Sequence, residues 1–325
     1  MQNIYYWNYV NQWKIDGEYL IIGKEKFKGS VTKLFPEFYF YAQDGIDVDN
    51  LPDLSDKVNK KIIKIFTRDL IKKGILRNTI NTPSEIFESQ SKYIKSIYDD
   101  KYFFESENVE KFKKEQKSRF INMHNDNDEI ALDNEISIPD FIINRKSVRN
   151  YDINKKISFN TISNLLGALK KVKDEERFYY PSAGGLYPIN VYIYFKEDRV
   201  EGIKQGLYFY NPVDNSLRLV NSNCSINDES QFFTNKNIFK TSAFTMYLTY
   251  DSESNFPKYK SDGYFYGLLD CGAMVSLMNY IASYLGLGSC SIGSMNFDSI
   301  KDFFKLKQNE EYIHSIEFGY ENNEN

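Results

Sequence analysis

The chain has 325 residues, enough for one large or two medium domains with a substantial core. Hydrophobic residues make up 42% of it and aromatics 16%, with 26 Tyr and 25 Phe, which excludes disorder for most of its length. A formal charge of −4 argues against wholesale nucleic-acid binding, and two histidines with three cysteines leave little for a zinc site or a Ser-His-Asp hydrolase.

The start, Met1-Gln2-Asn3-Ile4-Tyr5-Tyr6-Trp7, lacks the basic-then-apolar order of a signal peptide. No apolar run approaches the roughly 18 residues of a membrane span. Cys224, Cys271 and Cys290 are an odd number without ligand-like spacing, as expected in a reducing compartment. The expectation is a cytoplasmic protein with neither a membrane nor a nucleic-acid partner.

Residues 1–80 read as a small α+β unit. Alternation from Tyr9 to Ile15, then Asp16-Gly17, then Glu18 to Ile22 predicts a hairpin. Phe38-Tyr39-Phe40-Tyr41 predicts a further strand. Val58, Ile62, Ile65, Phe66 and Leu70 recur at helical spacing, between a possible N-cap at Ser55 and Gly74. Three short strands with one helix outline a winged-helix-like module. Residues 81–137 read as charged connecting helices, with Ile86, Phe87, Ile94 and Ile97 on one face, ending in an acidic linker from Asn125 to Glu135.

Residues 138–325 form the last predicted domain. Ser158 caps a helix carrying Phe159, Ile162, Leu165, Leu166 and Leu169. Strands are predicted over Ile189–Phe195, Leu207–Tyr210, Leu217–Val220, Ala243–Tyr250 and Tyr312–Tyr320. Tyr264–Leu285 is a helix apolar nearly all round, and so central or at an interface.

Two stretches carry the chemistry. Pro181-Ser182-Ala183-Gly184-Gly185 is a small-residue loop whose backbone can lie against a flat ring, because the missing side chains permit close approach and positive φ. Arg145, Ser147 and Arg149 alternate, so an extended segment points two guanidinium forks and a hydroxyl at one anion. Each alone is also what a plain loop or a solvated basic stretch looks like; together they suggest a flavin mononucleotide site. Leu287-Gly288, after the apolar helix, either merely turns the chain or passes the flavin ring. Lys258-Tyr259 supplies an amine and a phenol; in a partly desolvated flavin pocket the lysine pKa would fall, making a base, although most lysines are surface residues.

In this order the motifs resemble the nitroreductase superfamily, and within it the SagB-type azoline dehydrogenases. The resemblance runs from about residue 138 to 320 through Arg-x-Ser-x-Arg-x-Tyr, Pro-Ser-Ala-Gly-Gly-Leu-Tyr-Pro, Lys-Tyr before Gly-Tyr, and Leu-Gly-Leu-Gly. It implies an α+β nitroreductase-like sandwich that forms a homodimer, one FMN per subunit at the interface, and oxidation of thiazolines or oxazolines in a ribosomally made peptide. Arg145, Ser147 and Arg149 would then hold the ribityl phosphate and ring edge. Pro181, Ser182, Ala183, Gly184 and Gly185 would face the isoalloxazine, with Leu287 and Gly288 on its other side. Lys258 and Tyr259 match the catalytic pair. The resemblance further implies a cyclodehydratase partner, reoxidation of the flavin by oxygen, and, for residues 1–80, recognition of a leader peptide added as a strand. The chain departs from the pattern twice: Cys271-Gly272-Ala273 has no His, and Gly319-Tyr320 stands where an arginine commonly assists the phosphate. The rival readings are a nonribosomal thiazoline oxidase, a general NAD(P)H nitroreductase, or a flavin-binding scaffold without turnover.

Overall fold

The computed structural model describes residues 3–54, 60–88, 96–99, 101–123, 130–132 and 136–322. Contacts gather Met1–Pro83 and Asp140–Asn325 into one compact unit and Ser84–Pro139 into a second.

The N-terminal part of the first unit is α+β. It runs β1 (Ile4–Trp7), β2 (Trp13–Asp16), β3 (Tyr19–Ile22), β4 (Glu25–Lys28), α1 (Ser30–Asp44), β5 (Ile46–Asp47), α2 (Lys60–Lys72) and β6 (Leu76–Arg77). β2-β3-β4 form one meander, and β5-β1-β6 a second small sheet with β6 at its edge. The predicted hairpin forms, one residue displaced: Asp16 pairs with Tyr19, so the turn is Gly17-Glu18, with Gly17 at φ 59°. The strand expected at Phe38-Tyr41 is instead the second half of α1. Leu34, Phe35, Phe38 and Ala42 recur at helical spacing and are buried, and that stripe outweighs the aromatic preference for strands.

In α2 the buried residues are Ile63, Phe66, Thr67 and Leu70, while Ile62 and Ile65 face outward, contrary to expectation. Gly74, at φ 67°, ends it as expected. Ser55 and Val58 lie outside the described residues.

The second unit contains most of α3 (Pro83–Glu88), 3₁₀ turns at Tyr102–Phe104 and Arg119–Asn122, and α4 (Ser106–Ser118) between them. Tyr98, Tyr102, Phe103 and Phe112 pack their rings together there. Phe87 and Ile97, expected to share one face, are both exposed. Ile94 and most of the Asn125–Glu135 stretch, with His124, lie outside the described residues.

The C-terminal part of the first unit is built on a six-stranded antiparallel sheet. Its elements are α5 (Asp140–Ile143), α6 (Phe159–Gly167), β7 (Ile189–Phe195), β8 (Gly206–Asn211), β9 (Ser216–Asn221), α7 (Lys236–Thr241), β10 (Phe244–Asp251), α8 (Phe256–Tyr259), α9 (Asp262–Tyr284), β11 (Gly288–Ile292) and β12 (Glu310–Gly319). The strand order is β11-β12-β10-β7-β8-β9. Alternation sorts β7 onto two cores. Ile189, Val191, Ile193 and Phe195 join α6 and α9 on one face, and Tyr192 and Tyr194 pack on the other with Tyr247 and Phe304. The Ser158 cap forms as read, its Oγ accepting from the Thr161 N–H at 3.0 Å. β11 was not foreseen: with a glycine and two serines in five residues it carries too few β-formers to announce a strand.

By length and composition α9 is the one helix among the described residues that could cross a bilayer, against the expectation that no such stretch exists. It lies on the sheet instead, burying Cys271, Met274, Met278 and Ala282 against it. Its opposite face leaves Phe265 and Leu269 more than half exposed.

Candidate functional site

The small-residue loop is held by one carboxylate. Asp270 is buried in α9 among apolar neighbours, where a charge persists only if hydrogen-bonded. Ser182 Oγ donates to its Oδ2 at 2.6 Å, and the Ala183 N–H donates to its Oδ1 at 3.1 Å. Ser182 Oγ also accepts from the Tyr187 N–H at 2.9 Å, closing the loop on itself. Gly184 and Gly185 follow at φ 63° and 67°, as the loop requires. The same negative charge, after burial itself, raises the phenol of Tyr180 above its usual range and pushes the Cys271 thiol up to about 12. Cys271 is therefore a neutral packing residue near neutral pH, not a nucleophile.

Lys258 and Tyr259 meet this loop. Their helical turn, α8, hangs on Asn255, which is fully buried. Asn255 Oδ1 accepts from Tyr250 Oη at 2.7 Å, its Nδ2 donates to the Gly263 carbonyl at 2.8 Å, and its own carbonyl accepts from the N–H groups of Lys258 and Tyr259. A Cβ placed on Gly184 would lie 2.4 Å from Tyr259 Oη and 2.7 Å from Lys258 Nζ. The amine and phenol thus rest directly over the glycine, at a spot a larger residue would fill. Lys258 is exposed and Tyr259 half-buried, so a solute can reach both.

The basic segment is anchored elsewhere. The Val148 N–H donates to the Ser289 carbonyl at 3.0 Å, and Ser147 bridges to Ser289 in parallel register, laying the segment along the start of β11. Gly288 permits this approach, since a Cβ there would stand 2.8 Å from the Val148 side chain. Arg145 and Arg149 are exposed. Lys146 pairs with Glu321, whereas the Arg145 guanidinium has no hydrogen bond or ion pair among the described residues. It is free to take an anion. Gly286 (φ 72°) turns the chain out of α9, and Leu287 is buried with its N–H donating to the Ala282 carbonyl.

One helix ties the two clusters together. Asp270 holds the glycine loop, and Asn279 Oδ1 accepts from Ser289 Oγ at 2.8 Å beside the basic segment. Nine residues of helix put these anchors about 13 Å apart along its axis. The structure therefore brings Ser182, Ala183, Gly184, Lys258 and Tyr259 together, and sets Arg145, Ser147, Arg149 and Gly288 in a second group along α9. Asp270, Asn255 and Asn279 were missed in the sequence. The signal for Asp270 was present: only it and Asp262 are charged in the 23-residue α9, and a buried carboxylate needs donors.

The residues fit a flavin nucleotide: a free arginine suits a phosphate, and a cradle of absent side chains suits a ring. Residues 142–320 match the nitroreductase family. A nitroreductase-like protein of Methanocaldococcus jannaschii is 29% identical over 177 residues, which is 54% of this chain and 87% of that protein. The Escherichia coli microcin synthetase McbBCD complex, solved with truncated pro-MccB17 bound, contains a chain of similar fold. That match has a TM-score of 0.51 and 20% identity, covering 82% of this chain and 95% of the other. A nitroreductase-like structure from Ralstonia eutropha matches with TM-score 0.48 and 21% identity over 60% of this chain and 89% of its own.

Proposed function

The chain belongs to the nitroreductase family through residues 142–320, and from that premise we propose that it is an FMN-dependent dehydrogenase oxidising peptide thiazolines or oxazolines to the aromatic azoles. The observation that carries this reading is the placement of Lys258 Nζ and Tyr259 Oη over the small-residue loop at Gly184.

Bound FMN supplies the acceptor for the hydride that leaves the azoline Cβ. The chain's own work is to hold both rings and to take the other hydrogen. Lys258 Nζ accepts the Cα proton, which the adjacent C=N and carbonyl acidify. Tyr259 Oη donates a hydrogen bond that fixes the heterocycle. Ser182 and Ala183, clamped by Asp270, would present the loop backbone to a bound flavin ring. Arg145, Ser147 and Arg149 would hold the ribityl phosphate of bound FMN.

The exposed apolar face of α9, with Phe265 and Leu269, suits a homodimer. We further propose a cytoplasmic setting, a cyclodehydratase partner that delivers the azoline peptide, and leader recognition within residues 1–80. Boiling the purified protein and chromatographing the released chromophore tests the cofactor. FMN at about one per subunit supports the reading, and a colourless protein that cannot be reconstituted sinks it.

A second reading, an NAD(P)H nitroreductase, is favoured by the 29% identity to the M. jannaschii protein. Fast reduction by NAD(P)H with no azoline turnover would select it.

A further inference from the structure

Tyr259 Oη lies over Gly184, although no hydrogen bond among the described residues keeps the hydroxyl there. Its ring has two partners instead. The Lys258 amine stands 5.0 Å from the ring centroid, and the ring of Tyr266 meets it edge-to-face at 5.0 Å and 73°. Lys258 is exposed, where an ammonium over a ring is a weak contact. The half-buried ring of Tyr266 is therefore the firmer of the two.

The chain is bent under strain to make that contact. Lys260, between α8 and α9, has φ 53° and ψ −136°, which a lysine adopts only where its surroundings enforce it. The bend turns α9 back alongside α8, and two glycines let the helix close in. A Cβ on Gly263 would stand 2.9 Å from Asn255 Oδ1, and one on Gly267 would stand 2.6 Å from the Tyr250 ring. Tyr264 then packs edge-to-face on Tyr250 at 5.0 Å, and Tyr266 falls on Tyr259. Asp270, which clamps the small-residue loop, follows Tyr266 by four residues, on the same helix face and about 6 Å along the axis. Adjacent turns of one helix thus hold both sides of the meeting at Gly184: Asp270 the loop, Tyr266 the phenol.

We propose that Tyr266 is a positioning residue, whose ring rather than its hydroxyl fixes Tyr259 Oη over the small-residue loop. The Tyr266 hydroxyl has no hydrogen bond among the described residues, which leaves the ring as the part that acts. The reaction this serves rests on the azoline dehydrogenase reading; the packing does not.

The test compares Tyr266→Phe and Tyr266→Leu in the FMN-loaded full-length protein, each with and without Tyr259→Phe. Stopped-flow reduction of the flavin by saturating azoline peptide should leave Tyr266→Phe within about twofold of wild type and slow Tyr266→Leu by about tenfold or more. With Tyr259→Phe already present, the leucine change should cost under about twofold, because the hydroxyl it displaces is gone. A merely structural role would cost the same in both backgrounds. Nitration of Tyr259 by tetranitromethane, mapped by mass spectrometry, reads its placement without turnover. It should rise severalfold in Tyr266→Leu and stay unchanged in Tyr266→Phe. Circular-dichroism melts check that each variant folds, and Tyr266→Met replaces the leucine variant if that one does not. Reduction as slow in Tyr266→Phe as in Tyr266→Leu, an equal cost in both backgrounds, or unchanged nitration in Tyr266→Leu overturns the proposal. If the proposal alone is wrong, the peptide bleaches the flavin equally fast in wild type and Tyr266→Leu. If the azoline reading alone is wrong, the peptide leaves the wild-type flavin oxidised, while nitration of Tyr259 still follows the ring at 266.

Discussion

Gly184→Ala and Gly185→Ala form a matched pair that isolates the contact on which the chemistry depends. Both glycines have φ near 65°, so alanine at either site costs about 1–2 kcal/mol in backbone strain, offset by a few tenths from a stiffer unfolded chain. Gly185 has nothing within 4 Å of a new Cβ, and that cost is all it should show. At Gly184 the methyl would sit 2.4 Å from Tyr259 Oη and 2.7 Å from Lys258 Nζ. Both are far ends of flexible side chains and can retreat, so stability should fall little further. The retreat needed to restore ordinary contact is about 1 Å, and a misplacement of that size at the reacting groups costs on the order of 10²-fold in rate. Urea denaturation should therefore rank the two variants alike. Stopped-flow reduction of the bound flavin by an azoline peptide should leave Gly185→Ala near wild type and slow Gly184→Ala by about two orders of magnitude. If the two reduce at similar rates, Lys258 and Tyr259 do not act from where they lie over Gly184.

Asp270→Asn turns an acceptor for two donors into a group that presents its own donor to one of them. It should cost about 1.5–3 kcal/mol of stability and weaken FMN binding, read by denaturation and by flavin titration. Gly288→Ala forces a methyl to 2.8 Å from buried Val148; it should lose about 1–3 kcal/mol, part of which Val148→Ala recovers in denaturant melts. Burial holds the His314 imidazole below its ordinary pKa, so the unfolded chain takes the proton first. Its contribution is full above about pH 6.5 and is lost as pH falls through the folded value. His314→Gln should flatten that loss, checked by urea midpoints between about pH 5 and 8.

Of the six-stranded sheet all but β11 was legible; β7 and β10, for example, are apolar runs with β-branched and aromatic residues, bounded by turn signals. The Phe38–Tyr41 segment misled because four aromatics in a row satisfy strand preference, while the stripe that decides the matter starts four residues earlier at Leu34. In α2 the helix was legible but its face was not: Ile62 and Ile65 are as apolar as Ile63, and packing against α1 and the neighbouring strands selects which of them are buried. The reactive pair could be named from chemistry. Its meeting with Gly184 could not, because 74 positions separate Gly184 from Lys258 and the turn at Asn255 closes that gap. Asp270 was the overlooked clue, an uncompensated charge in an apolar helix that pointed to the loop it holds.

The most direct test of the central claim is to mix the FMN-loaded protein anaerobically with a thiazoline-containing peptide and follow the flavin absorbance and the peptide mass together. The account predicts bleaching of the flavin band with loss of two hydrogens from the peptide, both greatly slowed in Lys258→Ala. An oxidised flavin that persists beside an unchanged peptide, while NADH bleaches it at once, would contradict the account.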